Sequence, residues 1–155
     1  MKLTVKIFVL VVLSAALLTF SGCKPGTDPT PSDEEVQLGK LSKAWKATSV
    51  KKDAVPQVGY DAFTLKIEGV VGSPSFTYST TVRPTLSPWP SSGSWVFDTD
   101  PLASIIRDKG NTTNELKMTY TVTETTLQLN FTYNGAGVAG RSSNVKGQWV
   151  MIFGL

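Results

Sequence analysis

The chain has 155 residues, 41% of them apolar, with a formal net charge of +3, one cysteine and no histidine. That is the length of one domain with enough apolar content for a buried core, so a wholly disordered chain is excluded. A single cysteine excludes an internal disulfide framework and a cysteine-cluster metal site, and the absent histidine removes the commonest general base and transition-metal ligand. No cofactor and no metal are expected.

Residues 1–22 read as a secretory leader. Lys2 and Lys6 form a positive start, and Ile7 to Leu18 is apolar except for Ser14. This run is shorter than the ~20 apolar residues a spanning helix needs. Ser21-Gly22-Cys23 follows and resembles the lipobox of bacterial lipoproteins, with Phe20 where leucine is usual. The resemblance implies that Cys23 carries a thioether-linked diacylglycerol, that the leader is cut before it, and that the new amino terminus is acylated. Three acyl chains would hold the protein on a membrane, because stable anchoring takes more than one. Lys24, rather than the aspartate associated with inner-membrane retention, points to the outer membrane.

Residues 23–35 are the lipidated cysteine and a tether with three prolines, extended over ~35 Å in the polyproline regime. The acidic triplet Asp33-Glu34-Glu35 reads either as a surface-sorting signal or as solvated linker charge. The same acidic residues suit the first turn of a short helix over Asp33 to Lys43.

From residue 36 to 155 the pattern is alternation, the mark of strands with one apolar and one wet face. Trp45, Ala47 and Ser49 share a face over 44–52. Phe63, Leu65 and Ile67 interleave with polar residues. Phe76, Tyr78, Thr80 and Val82 share a face over 75–83. Short strands follow at 93–98, with Trp95 and Phe97, and at 103–108, with Ile105 and Ile106. Leu116, Met118, Tyr120 and Val122 alternate, then Leu127, Leu129, Phe131 and Tyr133. The last strand, 145–153, is apolar on both faces and should either be doubly buried or close a barrel against the first. Turns are expected at 69–74, at Asp108-Lys109-Gly110-Asn111 and at Glu124-Thr125, with a glycine- and serine-rich loop over 135–144. The fold class is therefore all-β. About eight antiparallel strands of this length close into an up-and-down barrel.

The stretch Leu41 to Val50 is similar to the opening strand of lipocalin-like domains, with Lys43 where those have glycine before the tryptophan. Ser92-Gly-Ser-Trp95-Val-Phe97 and Tyr120 to Leu129 add to the likeness. Over 38–155 the chain resembles the small lipocalin-like lipoproteins of gut-dwelling anaerobic Gram-negative bacteria, many of them domains of unknown function. The resemblance implies a barrel with a cavity for a small apolar or amphipathic molecule.

Enzymatic constellations are sparse. A Ser-His-Asp triad lacks its histidine, and Cys23 is consumed by lipid. Asp98 and Asp100 could pair as carboxylates, with Glu115 as a further acid, but Asp98-Thr99-Asp100-Pro101 reads more naturally as a turn. Gly135 to Gly140 has dinucleotide-like spacing but no helix after it. Nucleic-acid binding is not expected, because the positive charge is mostly the leader's. Without residues 1–22 there remain 13 basic residues against 12 acidic ones. The Lys43, Lys46, Lys51 and Lys52 cluster is a solvated rim or a face for anionic lipid heads.

Two functions from different classes stay open. In the first, the barrel binds a small apolar molecule or a glycan at the cell envelope, in a cavity lined by Leu65, Ile67, Tyr78, Met118, Tyr120, Leu129 and Phe131. Trp89, held between Pro88 and Pro90, is then a stacking platform or a lid. In the second, Trp89 is a plug, the barrel is solid, and the protein is an accessory subunit whose partner is another envelope protein. An enzyme is not expected.

Overall fold

The computed structural model describes residues 30–134 and 145–155; the leader, Cys23, residues 24–29 of the tether and the 135–144 loop lie outside the described residues. A compact unit spans Pro31–Leu155. It begins with helix α1, Asp33–Leu41, whose start is a capping box. Ser32 Oγ accepts from the Glu35 amide at 3.2 Å, and Glu35 Oε2 accepts from the Ser32 amide at 2.7 Å. Two amides with no partner inside the helix are thereby satisfied. The acidic triplet assigned to the tether is the first turn of this helix.

Nine strands follow: β1 (Ala44–Lys52), β2 (Val55–Pro56), β3 (Thr64–Glu68), β4 (Phe76–Thr81), β5 (Ser92–Phe97), β6 (Ser104–Arg107), β7 (Leu116–Val122), β8 (Thr126–Tyr133) and β9 (Gly147–Gly154). Each of β3 to β8 pairs antiparallel with the next in sequence, β1 pairs with β3, and β9 returns to β1. β1 and β3 to β9 thus form a closed, eight-stranded, antiparallel up-and-down barrel, as the alternation implies. The last strand is apolar on both faces because it makes the closure. It pairs with β8 from Thr126↔Gly154 to Tyr133↔Gly147, and with β1 from Lys46↔Gly154 to Lys52↔Trp149. Its inward residues Trp149, Met151 and Phe153 are buried, while Val150 and Ile152 are half-buried outside.

Three local features differ from expectation. The β1–β9 register shifts between Ala47 and Ser49, so Thr48 is a bulge residue. Beyond it Val50, 5% exposed, and not Ser49, continues the inward row of Trp45 and Ala47. β4 stops at Thr81; Val82 has φ +49 and lies 66% exposed at the start of a loop. β2, which the alternation does not announce, pairs with the end of β1 through Lys51↔Pro56 and Lys52↔Val55. Its two-residue turn, Asp53-Ala54, has φ +49 and +66. That is the hairpin geometry usually signalled by Asn-Gly or Asp-Gly, and alanine hides it.

One end of the barrel is closed by α1. Leu38 and Leu41 are buried, and the Trp45 indole donates to the Leu41 carbonyl at 2.8 Å, satisfying one helix-terminal acceptor. Gly69 allows this seat: a Cβ there would lie 2.4 Å from Leu38 Cδ1 and 2.7 Å from Phe76 Cδ1. At the same end Lys43 Nζ pairs with Glu124 at 3.0 Å across the β7–β8 turn. The lysine cluster is therefore not a single patch.

Left-handed backbone costs an L residue roughly 1–2 kcal/mol, against ~0.5–1 kcal/mol for the entropy of glycine. Ala54→Gly is accordingly expected to stabilise the fold by about 0.5–1 kcal/mol, read as a higher urea midpoint with unchanged slope.

Candidate functional site

The inward residues of β3, β4, β7 and β8 are those that parity selects. Leu65, Ile67, Tyr78, Met118, Tyr120, Leu129 and Phe131 are all 7% exposed or less and belong to one packed cluster. Among the described residues, large side chains stand between them. Trp45, Trp149, Phe63 and Phe153 are fully buried inside, and Trp89 joins them at 2% exposure.

Trp89 enters from the loop that joins β4 to β5. Its indole meets Tyr78 edge-on at 5.2 Å and Phe131 edge-on at 6.4 Å. Its Nε1 donates to Met151 Sδ at 3.2 Å. Phe131 in turn stacks on Trp149 at 6.4 Å, with the planes 10° apart. Such pairs add ~0.5–1.5 kcal/mol each beyond their buried area. Two arginines hold the loop backbone: Arg83 Nη1 donates to the Trp89 carbonyl and Arg107 Nη1 to the Pro88 carbonyl, both at 2.9 Å. In this arrangement Trp89 is a plug.

Arg107 and Asp108 are the functional-looking pair that sequence reasoning missed. Parity could have found Arg107, which stands two residues after the inward Ile105. The guanidinium is 1% exposed, with its Cζ 5.1 Å from the Trp89 ring centroid. Nη2 donates to the Asn114 carbonyl at 3.0 Å. Nε lies 3.4 Å from Asp108 Oδ2, close enough for an ion pair but without hydrogen-bond geometry. Burial lowers the proton affinity of Arg107, and the nearby Tyr78 and Asp108 oppose that effect. The Asp108 carboxylate accepts from the Tyr78 hydroxyl at 2.8 Å and from the Ser94 amide at 2.8 Å, so it ties β4, β5 and β6 together. Gly93 opposite leaves room for it, since a Cβ there would lie 2.1 Å from Oδ1. Burial, then the bond to Asp108, pushes the Tyr78 hydroxyl far above the usual phenol range. The bond to Asp108 fixes the Tyr78 hydroxyl as a donor.

Tyr120, expected to orient a ligand, donates to the Pro101 carbonyl and lies 3.5 Å from Gln37 Oε1 of α1. Burial raises its pKa as well.

The carboxylates do not converge. Asp98 Oδ2 pairs with Lys117 and accepts from Ser104 Oγ at 3.2 Å. Asp100 Oδ1 accepts from the Leu102 amide at 2.9 Å, in a turn. Glu115 Oε2 accepts from the Gly110 amide at 2.6 Å, in the next connection.

Among the described residues, grooves open on the outside of the barrel. One of about 750 Å³ lies over β7, β8 and the 108–115 connection. Another, of about 260 Å³ over β8 and β9, is bordered by Phe131 and Trp149. Of the eight residues proposed to line a cavity, Phe131 alone borders a described groove. Cys23 and the 135–144 loop lie outside the described residues.

Compared with known proteins, the chain matches no family model, no curated protein and no solved structure. Its functional reading rests on its own residues.

Two outcomes follow from this geometry. Trp89→Ala removes a fully packed indole and should cost about 3–5 kcal/mol in urea unfolding, with the far-UV spectrum retained. The Asp98 carboxyl is held down to about 2 by Lys117 first, then by the Thr99 amide and the Ser104 hydroxyl. Its ionised form favours the fold, so this contribution is present above the usual carboxylate range and is lost as pH falls through about 2. Lys117→Met should move the Asp98 titration midpoint upward toward 3.8, read by carboxyl NMR.

Proposed function

We propose that this is a lipid-anchored lipoprotein of the bacterial outer membrane whose solid lipocalin-like barrel works through its exterior, as an accessory subunit that meets an envelope partner or ligand. The observation that carries the reading is the Trp89 plug. With the indole 2% exposed against Tyr78, Phe131 and Met151, the interior is occupied by the protein's own side chains. An interior so filled serves as a rigid core, and recognition is left to the surface. The leader, the lipobox ending at Cys23 and the proline-rich tether support the anchoring.

A second reading keeps the interior as the ligand site. Trp89 comes from a loop, and its withdrawal would free an indole-sized space beside an arginine and two aromatic rings. A small planar apolar molecule would fit that space.

Native mass spectrometry of full-length protein extracted from membranes separates the two. The expected mass is that of the chain from Cys23 with its acyl chains and nothing else. A stoichiometric small molecule that leaves on gentle activation would overturn the exterior reading. A chain that keeps residues 1–22, or one from Cys23 without lipid, would overturn the anchoring. Cys23→Ser should release the protein from the membrane fraction.

A further inference from the structure

Among the described residues, none of the exposed large apolar side chains stands on a strand of the closed barrel; they gather at its two ends. At the end that α1 covers, three segments bring four of them together. At ~100° per residue, Val36 lies roughly 170° round α1 from the midpoint of Leu38 and Leu41. Those two are buried in the barrel mouth, so the exposed Val36 points out of it. Val70 and Val71, both exposed, form the tip of the β3–β4 connection beside the helix. Gly69 packs under Leu38, and Val71 borders a groove with Ser32, Glu35 and Leu38. The exposed Leu102 follows Pro101, whose carbonyl takes the Tyr120 hydroxyl close to Gln37 of α1.

The chain leaves the barrel at this same end. Nine residue steps separate Ser32, the helix cap, from Cys23. A fully extended chain spans at most ~3.6 Å per residue, so a lipid on Cys23 is held within roughly 32 Å of the helix start. β8 and β9 have eight residues each, which makes the barrel wall roughly 25 Å long at ~3.3 Å per residue. To bring the far end onto the lipid, the tether would have to run nearly straight back along the whole wall. The α1 end reaches the lipid with slack to spare. Tethering also makes docking intramolecular, so a patch too weak to hold a free protein suffices for an anchored one.

The charges beside the patch select the kind of surface. Asp33 and Glu34 are exposed in the first turn of α1, and Lys40 lies in its last. The acidic pair would be repelled by a strongly anionic bilayer, whereas mixed charge around an apolar centre suits zwitterionic head groups. We propose that the α1 end of the barrel docks on a zwitterionic lipid surface, with Val36, Val70, Val71 and Leu102 entering the head-group region. The proposal deepens the reading of a lipid-anchored protein that works through its exterior, and it rests on the anchor at Cys23. It turns the opposite end, where the β2–β3 connection exposes Val58, away from the membrane and toward a partner.

The test uses full-length lipidated protein in vesicles of equal parts phosphatidylethanolamine and phosphatidylcholine. Val71→Cys, Leu102→Cys and Val58→Cys, all at exposed positions, each carry a nitroxide label; acylated Cys23 has no free thiol to take one. Collision of the label with a water-soluble nickel chelate should be at least fivefold lower at 71 and at 102 than at 58. Val36→Glu combined with Val70→Glu should abolish the protection at 102 while the protein still floats with the vesicles. Equal collision rates at 71 and 58 in floating protein overturn the docking and leave the anchor standing. So does protection at 58 with 71 wet. Protein that does not float overturns the anchor, and the docking with it. Protection of 71 in native membranes but not in lipid vesicles assigns the patch to a protein partner and overturns the proposal. Protection that appears only with added phosphatidylglycerol overturns the zwitterionic assignment.

Discussion

Pairing β9 with β1 closes eight strands on themselves, and closure at that strand number leaves an interior just wide enough for side chains to fill. The remaining architecture answers that constraint. Inward rows from every barrel strand supply the filling, but a barrel has two open ends, and each must be covered or wetted. α1 covers one end with Leu38 and Leu41 and is itself held by the Trp45 indole. Near the other, the β4–β5 loop turns inward and delivers Trp89. The bulge at Thr48 lets β1 pair with β9 while keeping Trp45, Ala47 and Val50 on the core side.

Holding a loop residue inside a barrel has an electrostatic consequence. The backbone carbonyls at Pro88 and Trp89 need donors once they leave water, and Arg107 and Arg83 provide them. Arg107 must then be buried, which is expensive unless its charge is paired and its hydrogens satisfied. Asp108 and the Trp89 ring face carry part of that cost. Asp108 in turn needs donors and finds them in Tyr78 and Ser94. Plug, arginine, carboxylate and phenol thus form one polar chain inside an aromatic core. The groups that look most functional by burial and perturbed proton affinity are accounted for by this structural role.

The barrel was legible because its signal is local. Alternation over six to nine residues assigns a face without knowledge of any neighbour, and it placed Leu65, Ile67, Tyr78, Met118, Tyr120, Leu129 and Phe131 together correctly. It failed where one residue breaks the period. Ser49 lost its inward place to Val50 because Thr48 bulges, and Val82 left the sheet because its backbone turns left-handed. It failed again at β2, because Asp53-Ala54 adopts a hairpin turn without the usual glycine. Arg107 was overlooked for a different reason: periodicity was tracked through apolar residues, and a cation on the inward row breaks no pattern that hydrophobicity can show.

Sequence alone was enough to settle the class of fold, the number of barrel strands and most of the side chains that face inward, since these follow from period and turn chemistry along the chain. The same reading supplied the anchoring hypothesis at Cys23. It could not decide whether the inward set encloses space, because filling depends on the volumes of residues brought together from eight strands and two loops. Trp89 was open to three roles as a residue between two prolines. Its role as a plug depends on Tyr78, Phe131, Met151 and Arg107, which lie 11 to 62 positions away in the chain and meet only when the barrel closes.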